Sequence, residues 1–294
     1  MAFGLWYNVF MEIRVKAYAK LNLTLAVTGV RDGYHMLDSL VCTVDMFDLI
    51  KLKRRKDKLV SVEMHGRGTE TLPYEKNNAV KAAEAFIKTF DTCGTDIKIF
   101  KNIPVGAGLG GSSADISGVI NGMARLYGAG GAAQLKQLAD SLGSDTGYLL
   151  NGGYARLEGR GEIVRRLDVK TKLNFLLLAP KSGVSTADCY RLSDAYAGGN
   201  FNSDGAVSAL FAGDAAALGA CMRNDLYAPA ARLNPDVEKA YNELAEFAPC
   251  GVCMTGSGSG VFALFESAEM CAYAKSRYRG KFECIQLKSV VPKI

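Results

Sequence analysis

Apolar and polar residues alternate through Ile13–Ala19 and Leu21–Thr28, and Leu40–Lys53 and Leu59–Met64 continue in the same manner. A period of two puts successive side chains on opposite faces, so the chain opens as an antiparallel sheet. The period then changes. Val80–Phe90 carries apolar residues at helical spacing behind Asn77-Asn78, a pair suited to an N-cap, and Asp96–Phe100 returns to strand alternation. Ser112–Tyr127 sets Ile116, Val119, Ile120, Met123 and Leu126 on one helical face, Ala132–Leu142 predicts a further helix ended by Gly143, and Tyr154–Leu167 reads as a hairpin.

Lys172–Pro180 opens a new strand. Helices near Thr186–Ala197, Ala215–Arg223 and Pro235–Phe247 precede strands around Val252 and Val261–Phe265, and Ala268–Tyr278 and Cys284–Val291 follow as helix and strand. The segment from Gly198 to Asp204 reads as a turn or mobile loop. No repeat or low-complexity linker interrupts the pattern, which predicts two α+β domains over residues 11–167 and 168–294 with a cleft between them.

Composition narrows the class without naming a chemistry. Hydrophobic residues at 49% and charged residues at 22% are those of a globular chain and exclude disordered and fibrous architectures. The net charge of +5 is spread out, and its one dense cluster, Lys51–Lys58, has no interleaved aromatic residues. A solvated hairpin end therefore explains it better than a nucleic-acid patch, while the mild positive excess suits anionic small substrates. The eight cysteines lie in apolar stretches and read as reduced thiols. Cys250-Gly-Val-Cys253 has the spacing of half a zinc site, but no second pair follows, so no metal site is expected from protein side chains. Met1–Phe10 is apolar but short and lacks a basic start, which fits neither a signal peptide nor a membrane span. It reads as an extension outside the fold of a cytoplasmic protein.

The chemistry begins at Pro104-Val-Gly-Ala-Gly-Leu-Gly-Gly-Ser-Ser-Ala-Asp115. Glycines let backbone N–H groups turn toward one point, and the helix that starts near Ser112 adds its positive dipole end, a combination that binds phosphate. Gly106, Gly108 and Gly111 also fit the dinucleotide pattern G-x-G-x-x-G, but Gly128–Ala133 lead into another helix where that fold requires a second parallel strand ending in an acidic residue. The P-loop ending in Gly-Lys-Ser/Thr is absent as well. The phosphate-binding helix belongs to another lineage.

The loop resembles the Pro-x-x-x-Gly-Leu-x-x-Ser-Ser motif of the GHMP kinases. Ala19-Lys-Leu-Asn-Leu23 with Asp32-Gly-Tyr-His35, Leu142-Gly-Ser-Asp145 and Thr255-Gly-Ser-Gly-Ser-Gly260 are similar to signatures of the diphosphocytidyl-methylerythritol kinases within that superfamily, as are Gly183–Ala187 and Asn224–Leu226. The likeness spans Met11 to the C-terminus. It implies a two-domain GHMP kinase fold, with a first half like domain 2 of ribosomal protein S5 and a ferredoxin-like second half. It also implies ATP with Mg²⁺, and phosphorylation of the 2-hydroxyl of a cytidine diphosphate substrate in the non-mevalonate isoprenoid route, by a monomer or weak homodimer.

The resemblance carries a catalytic pair onto Lys20 and Asp145. An alcohol is a poor nucleophile at neutral pH, so a carboxylate that accepts its proton beside a cation that offsets developing charge is what phosphoryl transfer needs. Taken alone, Asp145 would be a solvated helix cap and Lys20 a strand lysine reaching for water. The implied nucleotide set is Pro104, Gly106, Ala107, Gly108, Leu109, Gly110, Gly111, Ser112 and Ser113, with Asn78. The implied acceptor set is Asn22, Tyr34, His35, Thr186 and Tyr190, in which Tyr34 and Tyr190 would sandwich a pyrimidine, although Tyr190 on a helix reads equally as packing. Three departures mark this chain. Gly110-Gly-Ser-Ser-Ala-Asp115 stands where the family usually reads Gly-Gly-Gly-Ser-Ser-Asp, Gly147 stands where a proline usually lies two residues after the catalytic aspartate, and the first ten residues are unmatched.

Overall fold

The computed structural model describes residues 11–68, 77–196 and 201–292, so the extension expected over the first ten residues lies outside the described residues. Two compact units are present. Of the described residues, one unit holds those up to Ala17, those from Asp48 to Asn102 and those from Ser112 to Leu150; the other holds Tyr18–Phe47, Ile103–Gly111 and those from Asn151 onward. The units interleave along the sequence. Strands β1 (Glu12–Asn22) and β3 (Tyr34–Arg54) contribute residues to both.

In the first unit, β4 (Val60–Gly66) pairs in parallel with β5 (Thr95–Lys101), which runs antiparallel to the end of β3. The purely antiparallel opening expected from alternation fails here because helix α1 (Asn78–Phe90) joins β4 to β5, and a helical crossover brings the second strand back in the same direction. Asn77 caps α1 by accepting the N–H of Ala79 at 2.9 Å. Helix α2 (Gly111–Tyr127) buries Val119, Ile120 and Met123 completely. A Cβ on Gly118 would lie 2.6 Å from Ile50 Cδ1, and one on Gly122 would lie 2.4 Å from Leu52 Cδ1. Two glycines one turn apart therefore let the α2 backbone settle directly onto β3. Helices α3 (Ala132–Asp140) and α4 (Thr146–Leu149) follow, the second a single turn that the sequence pattern did not predict.

In the second unit, β2 (Thr24–Arg31) and the start of β3 form a hairpin through Asp32-Gly33, whose φ angles of 52° and 77° are the left-handed pair of a two-residue turn. β6 (Tyr154–Gly159) pairs with β3 and with β7 (Ile163–Leu167), and the two-residue strand β9 (Arg223–Asn224) lies parallel to β2. A second sheet holds β8 (Asn174–Ala179), β10 (Gly251–Met254), β11 (Val261–Phe265) and β12 (Glu283–Lys288) in the order β10-β11-β8-β12, all antiparallel. That order is the ferredoxin-like one. Among the described residues, six helices belong to this unit: α5 (Thr186–Ser193), α6 (Asp204–Ala212), α7 (Ala215–Cys221), α8 (Tyr227–Leu233), α9 (Asp236–Ala245) and α10 (Ala268–Arg277). Leu176, Val261 and Phe265 of the sheet pack with Val237, Leu244 and Cys271 of the helices to form its core.

The described part of the expected loop before Asp204 is fixed in place. Ser203 is fully buried, its N–H reaches Asp38 at 3.1 Å, and the Arg156 guanidinium grips both oxygens of Asp38 and one of Asp204. All eight cysteines are unpaired. Among the described residues no helix is long and apolar enough to cross a membrane, and no group of three His, Cys, Asp or Glu side chains could hold a metal ion.

Candidate active site

Lys20 and Asn22 lie on the face of β1 that Glu12, Arg14 and Lys16 expose at its start, yet both are almost fully buried, because segments around Leu109 and Thr255 cover the end of the strand. The Lys20 ammonium donates to Asn22 Oδ1 at 2.5 Å, and its N–H donates to the carbonyl of Leu109 at 3.0 Å. Asn22 is held in turn. Its amide nitrogen donates to Ser39 Oγ at 2.8 Å, its own N–H meets Thr255 Oγ1 at 3.1 Å, and Oδ1 also accepts the N–H of Gly256 at 2.9 Å. Asn224 fixes the same turn from its other side, donating to the carbonyls of Met254 and Gly256.

The glycine loop lies against this late glycine-rich segment. Ser259 and Gly260 donate their N–H groups to the carbonyls of Gly106 and Ala107, and Thr255 Oγ1 donates to the carbonyl of Gly108 at 3.2 Å. With Leu109 bound by Lys20, four successive carbonyls face protein donors. The N–H groups of Gly106, Gly108 and Gly110 have no protein acceptor among the described residues, and all three glycines have φ near 70°. Carbonyls held on one side with amides left on the other make an anion-binding concavity. Gly108 has a second reason to be glycine, because a Cβ there would stand 2.0 Å from the Thr255 carbonyl. Its missing side chain makes room for the neighbouring segment, where the sequence suggested room for phosphate.

The Asp32-Gly33 turn sends Tyr34 and His35 to opposite faces of β3. Tyr34 is 56% exposed beneath the Arg160 guanidinium, 4.7 Å from the ring centroid. His35 faces α5, its ring centroid 5.0 Å from that of Tyr190 and its Nε2 2.7 Å from Asp194 Oδ1. The expected pairing of Tyr34 with Tyr190 as two walls is therefore corrected: the ring opposite Tyr190 is His35, since neighbouring strand residues cannot share a face. Beyond His35 and Asp194 opens a cavity of about 650 Å³ walled by Phe201, Arg223 and Tyr227. Asp194 escaped the sequence reading, which had no motif there; its position one helical turn after Tyr190 was the available signal. Thr186 Oγ1 lies 2.8 Å from Ser257 Oγ, so α5 starts against the late glycine-rich segment.

The first unit gathers the remaining residues around the start of α2. Asn78 donates to Ser112 Oγ at 2.6 Å. Ser117 Oγ donates to the carbonyls of Ser113 and Thr146, and a Cβ on Gly143 would come within 3.6 Å of Ser113 Oγ. The turn bearing Asp145 thus rests on the first turns of α2. Asp145 is half-buried and its carboxylate makes no capping bond to α4. The departure at Gly147 has a local cause: a Cβ there would fall 1.9 Å from Asp140 Oδ1, in space the carboxylate already fills.

One further cluster of charge is buried nearby. Lys101 Nζ donates to Asp48 Oδ2 and, at 2.6 Å, to Asp115 Oδ2, while Asp48 Oδ1 accepts the N–H of Asn102. Burial pushes Asp115 up to about 7, with the neighbouring Asp48 adding to the rise and Lys101 opposing it. Lys101 itself is held above the ordinary lysine value because Asp115 and Asp48 together outweigh its burial.

The class of the chain, the small-molecule GHMP kinases, is given by comparison with known families. The family description "GHMP kinases N terminal domain" matches residues 77–155, and "GHMP kinases C terminal" matches 206–278. The chain is 35% identical over 276 residues to a 4-diphosphocytidyl-2-C-methyl-D-erythritol kinase of Pelotomaculum thermopropionicum, covering 92% of this chain and 94% of that one. It is 36% identical over 265 residues to one of Desulfitobacterium hafniense, covering 88% and 89%. A crystal structure of 4-(cytidine 5'-diphospho)-2C-methyl-D-erythritol kinase superposes with a TM-score of 0.75 at 28% identity, over 94% of this chain and 99% of that one. The chain belongs to the 4-diphosphocytidyl-2-C-methyl-D-erythritol kinase family of the GHMP kinases. Kinases of this superfamily take ATP as phosphoryl donor.

Proposed function

We propose that this chain transfers the terminal phosphoryl group of ATP to the 2-hydroxyl of 4-diphosphocytidyl-2-C-methyl-D-erythritol. The observation that carries the reading is the glycine loop, with its carbonyls engaged from Gly106 to Leu109 and its glycine amides left for an anion. The family relationship supplies the acceptor. Gly106, Gly108 and Gly110 bind phosphate oxygens through backbone N–H groups, Pro104, Ala107, Leu109 and Gly111 shape the turn, and Ser112 and Ser113 present hydroxyls at the helix start, the first held by Asn78. Asp145 accepts the proton of the substrate hydroxyl and Lys20 offsets charge that develops during transfer. Asn22, whose Oδ1 accepts from Lys20 and from the N–H of Gly256, aims Lys20 on the acceptor side of the site.

Mg²⁺ bound with ATP would find hard oxygen donors in the nucleotide's phosphates and the hydroxyl of Ser112, and would supply charge neutralisation during transfer. The acceptor's base lies against His35 and Tyr190, with Thr186 beside them; Tyr34 serves the rim through Arg160. The two halves of the reading, 11–167 and 168–294, each contain one of the matched family segments. A cytoplasmic monomer or weak dimer acting on small molecules is the setting that fits. Incubation with ATP, Mg²⁺ and the diphosphocytidyl substrate, followed by mass and phosphorus resonance analysis of the product, is the test. One added phosphate on the 2-oxygen is expected; nucleotide binding without product would mark a non-catalytic paralogue instead.

A further inference from the structure

The glycine loop is bounded by β5 on one side and α2 on the other, and both stems carry a member of the same buried cluster. Lys101 is the last residue of β5 and Asp115 lies in the second turn of α2. Asp48, on β3, completes the group and also accepts the N–H of Asn102, the next residue toward the loop. The side chains of Lys101, Asp48 and Asp115 are 6%, 0% and 9% exposed. Such burial is costly for charges, and replacing a buried ion pair by apolar residues often leaves stability unchanged or higher, so the cluster is poorly explained as a source of stability. Asp115 Oδ1 is buried without a hydrogen-bond partner, which deepens that cost. What an ion pair supplies and packing does not is direction: a donor with fixed geometry reaching two acceptors sets the distance between the elements that carry them.

We infer that Lys101, by holding Asp48 and Asp115 together, closes the base of the phosphate loop and makes the three side chains positioning residues for nucleotide binding. The inference rests on the reading of the loop as the ATP site. With its stems fixed, the loop presents the amides of Gly106, Gly108 and Gly110 in one arrangement before the nucleotide arrives, and binding need not order it.

The test compares Asp115→Leu, close in size but unable to accept from Lys101, with Asp115→Asn, whose amide oxygen still can. For the leucine variant the KM for ATP should rise about tenfold, with kcat and the acceptor KM held within about threefold, since the lost interaction orders the donor site and not the reacting groups. The asparagine variant should return the ATP KM to near the wild-type value. A second readout needs no turnover: amide exchange at Ser259 and Gly260, whose N–H groups bind the loop carbonyls, should quicken in the leucine variant and stay slow in the asparagine variant. Should Asp115→Leu fail to fold, Asp115→Ala carries the same expectations. A folded variant with wild-type ATP KM and wild-type exchange overturns the inference, as does an equal rise in both KM values. Wild-type protein that binds no ATP would sink the kinase reading instead, and the exchange rates alone would then decide the role of the triad.

Discussion

At the scale of single residues, the account stands on Asp145 and Lys20. Asp145→Asn should keep the fold and ATP binding while lowering kcat by a factor on the order of 10² to 10⁴, the usual worth of a positioned base. Near-normal turnover by the variant would remove Asp145 from the mechanism. Lys20→Met should lower kcat more than it raises the KM for ATP, because the charge it meets develops during transfer; a change confined to KM would make it a nucleotide ligand. Both proposed roles come from the motifs around the two residues taken jointly, since a lone aspartate after a helix carries no chemistry by itself. The trio of His35, Tyr190 and Asp194 was legible in part. The bond from His35 to Asp194 joins β3 to α5 across 159 residues, and no local spacing announces such a pair.

At the scale of elements, one-sided burial decided what could be read. β1, α1 and α2 were clear because each turns a regular apolar face inward, whereas α6 and α8 were not: Asp204-Gly-Ala opens α6 like a turn, and Pro229 interrupts the reading of α8 although it stands in the first helical turn, where its missing N–H costs nothing. The loop between β5 and α2 makes its own prediction. Gly108→Val should unseat the loop from the Thr255 segment, lowering stability together with ATP affinity, because a Cβ there meets the Thr255 carbonyl at 2.0 Å. A thermal melt with bound and free nucleotide separates the two losses, and lost affinity at unchanged stability would contradict this packing role. The base of α2 predicts a pH dependence. Asp115 is raised from an unfolded value near 3.8 to about 7, so the folded chain keeps a proton that the unfolded chain releases. Its contribution to stability is therefore whole below about 4 and lost as pH rises through about 7. Urea unfolding of wild type and Asp115→Asn across that window should show the wild type losing stability faster; parallel profiles would refute the assignment.

At the scale of the whole molecule, alternation and helical period gave the α+β class, and the motifs gave the superfamily, because a phosphate loop is a local object that a sequence can spell out. The interleaving of the two compact units could not be read the same way: it follows from β1 and β3 contributing to both, and length and pairing of that kind are settled by contacts far apart in sequence. The choice of acceptor is likewise a property of the assembled molecule, set by which small alcohol the buried polar groups satisfy. The measurement that tests it most directly is ADP release from ATP with a panel of alcohols at equal concentration. The account predicts rapid release with 4-diphosphocytidyl-2-C-methyl-D-erythritol and none above background with mevalonate, homoserine or a simple sugar, whereas preferred turnover of any of those three would contradict it.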